Sequence, residues 1–276
     1  MSELWADSRH RVAVVAAARL MHGSSSIVSH LSAAVLHGLP QYRFGERPVE
    51  VTTRGPGRTS GRPGLRRHHD ALSDDDIVVV DGIACTSLDR TVFDVARTAS
   101  TETAVACADA AVAREAMRGR RFDADAQAAW RARLSERAAR ARGRRGVRAA
   151  RWVLDFADGR AELPGESVSR VQLHRLGFRA FELQVRVNGP DGGDYFVDVG
   201  LPEARTFWEF DGRAKYTEAS LLRGRTTEEA FLEEKRREDW IRGVTQWRFC
   251  RGGFADIESP AALTARLRAF GVELPS

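Results

Sequence analysis

Two alternating apolar segments joined by a short loop, Tyr195–Val199 and Thr206–Asp211, constrain this chain most; they lie within DYFVDVGLPEARTFWEFDGRAK. Side chains alternate across a strand. Phe196 and Asp198 are therefore expected on one face of the first segment, with Tyr195, Val197 and Val199 on the other. In the second, Phe207, Glu209 and Asp211 share a face opposite Trp208 and Phe210. A four-residue loop pairs Asp198 with Phe207 or Glu209, and in either register Asp198 and Glu209 face the same side. Paired strands lie ~4.8 Å apart, and carboxylates at that range repel unless protonated or bridged by a cation. One or two carboxylates completed by water suit Mg²⁺. The plainer alternative is a sheet edge with solvated acids.

The flanking sequence places these segments in a larger unit. Pro164-Gly165 marks a break. Residues 166–176 follow as a helix ended by Gly177, with Glu166 at its start, where a carboxylate suits the helix dipole or a further metal-site acid. Leu183–Val187 is a strand, and Asn188–Gly193 a turn. Thr226 and Glu229 form a capping box for a helix over 227–242, stopped by Gly243. Gln246–Arg251 is a fourth strand, with Trp247 and Phe249 on one face, and Pro260–Phe270 a closing helix.

The α-β-β-β-α-β order, with VDV around Asp198, EFDGRAK at 209–215 and EKRRED at 233–239, resembles the PD-(D/E)XK endonuclease-like domains related to very-short-patch-repair endonucleases. The resemblance covers about residues 163–258. It implies a restriction-endonuclease-like core that hydrolyses DNA phosphodiester bonds with Mg²⁺ or Mn²⁺. Carried onto this chain, it implies Asp198, Glu209, Asp211 and Glu166 as metal-site acids, with Asp198, Glu209 and Asp211 in the chemistry. The family's motif has lysine two residues after the glutamate; here that position is Asp211. The chain's two lysines, Lys215 and Lys235, lie nearby in sequence and are expected to supply the cation. Lys235 projects toward the sheet if Phe231 and Leu232 pack inward. Arg237 and Arg251 are assigned to phosphate contact or ion pairing.

The preceding residues differ in character. Residues 8–22 and 28–39 have helical spacing. His30 and His37 share a face of the second helix and are read as packing residues. Val49–Thr53 and Leu65–His69 read as strands. Ile77–Val80 and Ile83–Thr86 flank Asp81-Gly82, which favours a type I′ hairpin. Residues 54–64, RGPGRTSGRPG, form a basic loop, either solvated or touching phosphate. Ser87 caps a helix. Residues 101–117 and 124–156 are helical, the latter broken by a turn at Gly143 and Gly146. Its arginine run, including Arg144 and Arg145, fits a solvated helix pair or a phosphate-facing surface. VSHLSAAVLHGLP and VVVDGIACTSLDRTVFDVAR resemble the AbiEi-type antitoxins of bacterial type IV toxin–antitoxin systems, over about residues 8–150. This implies a regulator with DNA or a toxin as partner. The winged helix-turn-helix with which members begin is not evident here.

The expected fold class is therefore α+β in two domains, a helical region with a small β-sheet over residues 1–160 and the endonuclease-like core over 161–276. A net charge of +5 and a pI of about 9.6 permit nucleic-acid binding without requiring it. Cys85, Cys107 and Cys250 are scattered, which suits a reducing compartment and argues against a zinc knuckle. Neither a signal peptide nor a membrane span is evident, so a cytoplasmic protein is expected. Pairing into a dimer is compatible with a nuclease that cuts both strands.

Overall fold

The computed structural model describes residues 5–21, 26–53, 63–190, 192–212 and 226–275. Most of the basic loop (54–62) and Lys215 lie outside the described residues. The chain divides into two compact units, residues 1–159 and 160–276, one residue from the expected boundary.

In the first unit, α1 (Ala6–Leu20), β1 (Ser26–Val28), α2 (His30–Leu36), β2 (Val49–Thr53) and β3 (Leu65–His69) come first. Then follow β4 (Ile77–Val80), β5 (Ile83–Thr86), α3 (Leu88–Thr98) and α4 (Thr101–Ala116). The short strands β6 (Met117–Arg118) and β7 (Arg121–Phe122) precede α5 (Ala124–Arg140) and α6 (Val147–Phe156). The main sheet runs β3-β2-β1-β5-β4. Asp81 (φ 50°) and Gly82 (φ 76°) are both left-handed, as a type I′ turn requires. Gly143 (φ 84°) and Gly146 (φ 81°) make the turn between α5 and α6. The core joins Val14 of α1 to Val28, Ala33, Leu36, Val51 and Cys85.

The helix expected over 28–39 is corrected. Val28 ends a central strand paired antiparallel to β2 and parallel to β5; the β-branched pair Ile27-Val28 suits a position buried from both sides. The chain turns at His30, φ 53°, before a shorter helix. His30 and His37 do not meet: the first stacks on His68 at 3.6 Å and the second hydrogen-bonds the Thr86 carbonyl at 2.7 Å. Both are packing residues.

The second unit contains α7 (Pro164–Arg175), β8 (Glu182–Asn188), β9 (Asp194–Leu201), β10 (Thr206–Phe210), α8 (Thr227–Thr245), β11 (Arg248–Gly252) and α9 (Pro260–Ala269). This is the expected α-β-β-β-α-β order with a closing helix. Strands β8, β9 and β10 form an antiparallel meander, and β11 joins parallel to β10 after the α8 crossover. Helix α7 begins at Pro164, in the N1 position that its missing N–H suits, and not at 166. Gly165 packs under the Phe210 ring, where a Cβ has no room. Helix α8 passes through Gly243 and ends at Gln246, φ 58°. An exposed glycine costs a helix about 1 kcal/mol but need not end it. Among the described residues no helix is long and apolar enough to cross a membrane.

Candidate active site

The β9–β10 ladder pairs Thr206 with Leu201, Phe207 with Gly200 and Trp208 with Val199. The next step of that register sets Glu209 against Asp198, one of the two registers expected. There the ladder stops, and the Phe210 N–H donates to Asp198 Oδ2 at 2.9 Å. The carboxylate takes the place of a strand carbonyl where β9 and β10 part.

Strict alternation fails at the same point. It would put Tyr195 and Val197 opposite Phe207. Instead they pack in one cluster with Phe207, Phe249 and Ile241. Gln184, which would pair with Asp198 across β8, has φ 50° and drops out of the ladder. Asp198 therefore sits at a strand irregularity, and the simple same-face assignment of Asp198 and Glu209 does not describe it. Irregular strand positions recur beside functional sites because they re-aim a side chain.

Glu209, 12% exposed, is clamped by two guanidiniums. Arg237 from α8 donates to Oε1 at 2.5 Å and Arg251 from β11 to Oε2 at 3.0 Å. Arg251 is its register neighbour on the parallel strand. Arg237 also donates to the Phe196 carbonyl at 2.5 Å and to Glu234 at 2.7 Å. Arg251 pairs with Glu234 and lies 3.6 Å from Glu238. Burial opposes ionisation of Glu234, but the Arg237 and Arg251 charges outweigh it and hold its pKa below the ordinary value. Burial also works against charged Arg237, yet its bonds to Glu209 and Glu234 raise its pKa. Each charge is tolerated because its neighbours neutralise it.

The remaining assignments divide. Asp211 is half-buried, and its N–H bonds the Gly252 carbonyl at 2.9 Å, one step beyond β10. Glu166, 3% exposed, turns back to accept the Glu162 N–H at 2.8 Å, which matches a helix-start role. Lys235 is corrected: it is exposed, because Phe231 (60% exposed) and Leu232 (44%) do not pack inward. The inner face of α8 carries Glu234, Arg237, Glu238 and buried Ile241, at helical spacing. The cations at the described site are thus arginines. Arg144 and Arg145 belong to the first unit; Arg144 pairs with Asp70, and the Arg145 carbonyl accepts from Arg97 Nε at 3.1 Å.

The sequence expectation omits Glu234 and Glu238, although they fall in EKRRED; their spacing, three residues from Glu234 to Arg237 and from Glu238 to Ile241, is the signal that marks them. Among the described residues no group of three or more His, Cys, Asp or Glu side chains is arranged to hold a metal.

No family model matches the chain, and no solved structure matches it. Two Mycobacterium tuberculosis proteins, "Uncharacterized protein MT2308" (strain CDC 1551 / Oshkosh) and "Uncharacterized protein Rv2248" (strain ATCC 25618 / H37Rv), are each 37% identical to it over 97 residues. The match takes in 35% of this chain and 36% of each relative, about a third of the relatives' length.

Proposed function

We propose that residues 160–276 form a metal-dependent endonuclease domain that hydrolyses DNA phosphodiester bonds. The observation that carries this reading is Asp198, which lies one step past the last β9–β10 pair, where the register would meet Glu209, and accepts the Phe210 N–H as the ladder opens within an α-β-β-β-α-β unit. The donors suit a hard divalent ion such as Mg²⁺ or Mn²⁺. Glu209 accepts two hydrogen bonds, whereas an ionised carboxylate offers about four lone-pair sites. Glu209, Glu234 and Glu238 face two guanidiniums, Arg237 and Arg251, a formal surplus of one acid that suits a divalent cation. Asp198 and Glu209 would hold the ion, with water completing its shell. Bound there, it supplies a more acidic water and charge stabilisation at a scissile phosphate. Arg237 and Arg251 fix the Glu209 carboxylate and bring positive charge beside it, the charge that a phosphate seeks. Three buried free cysteines support a reducing, cytoplasmic setting.

The test incubates the purified protein with supercoiled, linear and single-stranded DNA, with and without Mg²⁺ or Mn²⁺, beside Asp198→Ala and Glu209→Ala. Cutting by wild type that needs the metal and is lost in both variants is expected. Intact DNA in every tube, or equal cutting by all three proteins, overturns the reading.

A second reading is favoured by the clamp. With both oxygens of Glu209 engaged by arginine and Asp211 in place of the motif's lysine, the domain would bind DNA or a protein partner such as a toxin without cutting. Metal-independent DNA binding with no cleavage, equal in Asp198→Ala, identifies that case.

A further inference from the structure

At the other end of β10 and β11 lies an open cleft of about 700 Å³, lined by Arg205, Arg242, Arg248, Trp247, Phe249 and Phe270. Glu209 lies four residue steps along the chain from Arg205, about 13 Å at ~3.3 Å per residue, so the cleft is distinct from the acid site. Its volume is that of a small-molecule site.

Two of its arginines differ from those around Glu209. Arg242 is held by Asp239 at 2.6 Å and Glu238 at 3.5 Å. Arg205 and Arg248 are exposed, and neither has a carboxylate within ion-pair distance among the described residues. Glu203 and Glu273 line an adjoining cavity of about 410 Å³ that shares both arginines, yet neither pairs with them. No carboxylate lines the larger cleft.

The backbone brings these two cations together at some cost. Arg205 (φ 44°) and Gln246 (φ 58°) are left-handed without being glycine, a conformation that side chains disfavour. The Arg248 N–H donates to the Arg205 carbonyl at 3.0 Å and ties the two turns. Strained turns held by their surroundings cluster at ligand sites. The aromatic wall is also supported from behind: Trp247 stacks on Phe207 at 4.8 Å, and Phe270, 37% exposed, has the Arg266 guanidinium 4.8 Å from its ring. Aromatic faces beside unpaired arginines match a base beside its phosphate.

We propose that this cleft binds a nucleotide unit, the base against Trp247 and Phe270 and the phosphate between Arg205 and Arg248. The proposal is independent of the catalytic reading. The full chain, in EDTA without divalent metal, is titrated with inorganic phosphate, deoxyadenosine, deoxyadenosine monophosphate and a single-stranded deoxyadenosine decanucleotide. The monophosphate should bind roughly tenfold or more tightly than phosphate or nucleoside alone. Arg205→Gln and Arg248→Gln should each weaken it by roughly tenfold at an unchanged melting temperature. A decanucleotide tighter than the monophosphate assigns the cleft to single strands; one no tighter assigns it to free nucleotides. No binding, phosphate binding as tightly as the monophosphate, or full affinity in the Arg205→Gln/Arg248→Gln double variant overturns the proposal. Equal binding by Asp198→Asn separates this result from the fate of the nuclease reading.

Discussion

Arg237 serves three acceptors at once, the Phe196 carbonyl, Glu209 and Glu234, so its loss is felt in three places. Arg237→Met would leave two carboxylates facing Arg251 alone and one carbonyl without its guanidinium donor. Breaking one partner of a fully buried pair costs about 3–5 kcal/mol; with this network still reached by water, about 2–3 kcal/mol is expected in urea denaturation. Arg237→Lys keeps the charge but not the planar fork and should fall between. A loss under 0.5 kcal/mol in Arg237→Met would show that the clamp contributes little. Glu234 carries the pH dependence of the same network. Its folded pKa is held below 4.5 because Arg237 and Arg251 outweigh burial. Its contribution is therefore fully present above about pH 4.5 and is lost as pH falls through the lower folded value. Glu234→Gln removes that contribution, so the stability gap between wild type and variant should narrow as urea melts are taken from pH 6 to pH 3. A gap that stays constant would be inconsistent with the assigned ionisation.

Local rules made some elements legible and tertiary context hid others. Asp81-Gly82 and the Thr226–Glu229 capping box carry their geometry in adjacent residues, and both form. Loop length left two registers open for β9 and β10, and the observed ladder, Thr206 with Leu201 through Trp208 with Val199, runs in the one that leads toward Glu209 and Asp198. Helix α8 was opaque in detail because it turns charge inward: Glu234, Arg237 and Glu238 meet partners on β10 and β11, while Phe231 and Leu232 stay out. Apolar spacing cannot reveal a face that is buried by ion pairing. The break at Gln184 and Asp198 was hidden for a related reason, since nothing in an alternating pattern marks a skipped pair. The β1–α2 junction supplies a test at this scale. His30 is 4% exposed, and burial first, then neighbouring His68, lowers its pKa from 6.5 to about 3. The unfolded chain takes up a proton there that the folded chain refuses. Stability is thus fully present above pH 6.5 and falls toward pH 3, by at most ~1.4 kcal/mol per pH unit from this group. Asn tolerates the left-handed turn better than most residues, so His30→Asn should keep the junction while flattening that slope in denaturation between pH 6.5 and pH 4. An unchanged slope would remove His30 as its source.

Charge behaves differently when the whole molecule is counted. The chain has 43 Lys and Arg against 38 Asp and Glu, and several of the described arginines are committed to internal ion pairs. Arg90, Arg97, Arg133, Arg137 and Arg144 all pair with carboxylates in the first unit, as do Arg237 and Arg251 in the second. Paired in this way, these seven arginines do not by themselves make a phosphate-binding surface. Salt dependence measures the difference, because each phosphate neutralised on a single strand contributes a log–log slope of about −0.7. If a decanucleotide is held by one phosphate between Arg205 and Arg248, its affinity should fall with a slope of about −0.7. The double Arg205→Gln/Arg248→Gln variant should bring the slope of any residual binding close to zero. A chain that wrapped the strand with its arginine-rich helices would instead give about −3.5 or steeper for five or more phosphates, and Arg144→Gln or Arg145→Gln would then lower it. Anisotropy titrations across a series of salt concentrations separate the two cases without any need for cleavage. A steep slope that survives the double variant would move the nucleic-acid contact away from the cleft and onto the first unit's arginine helices.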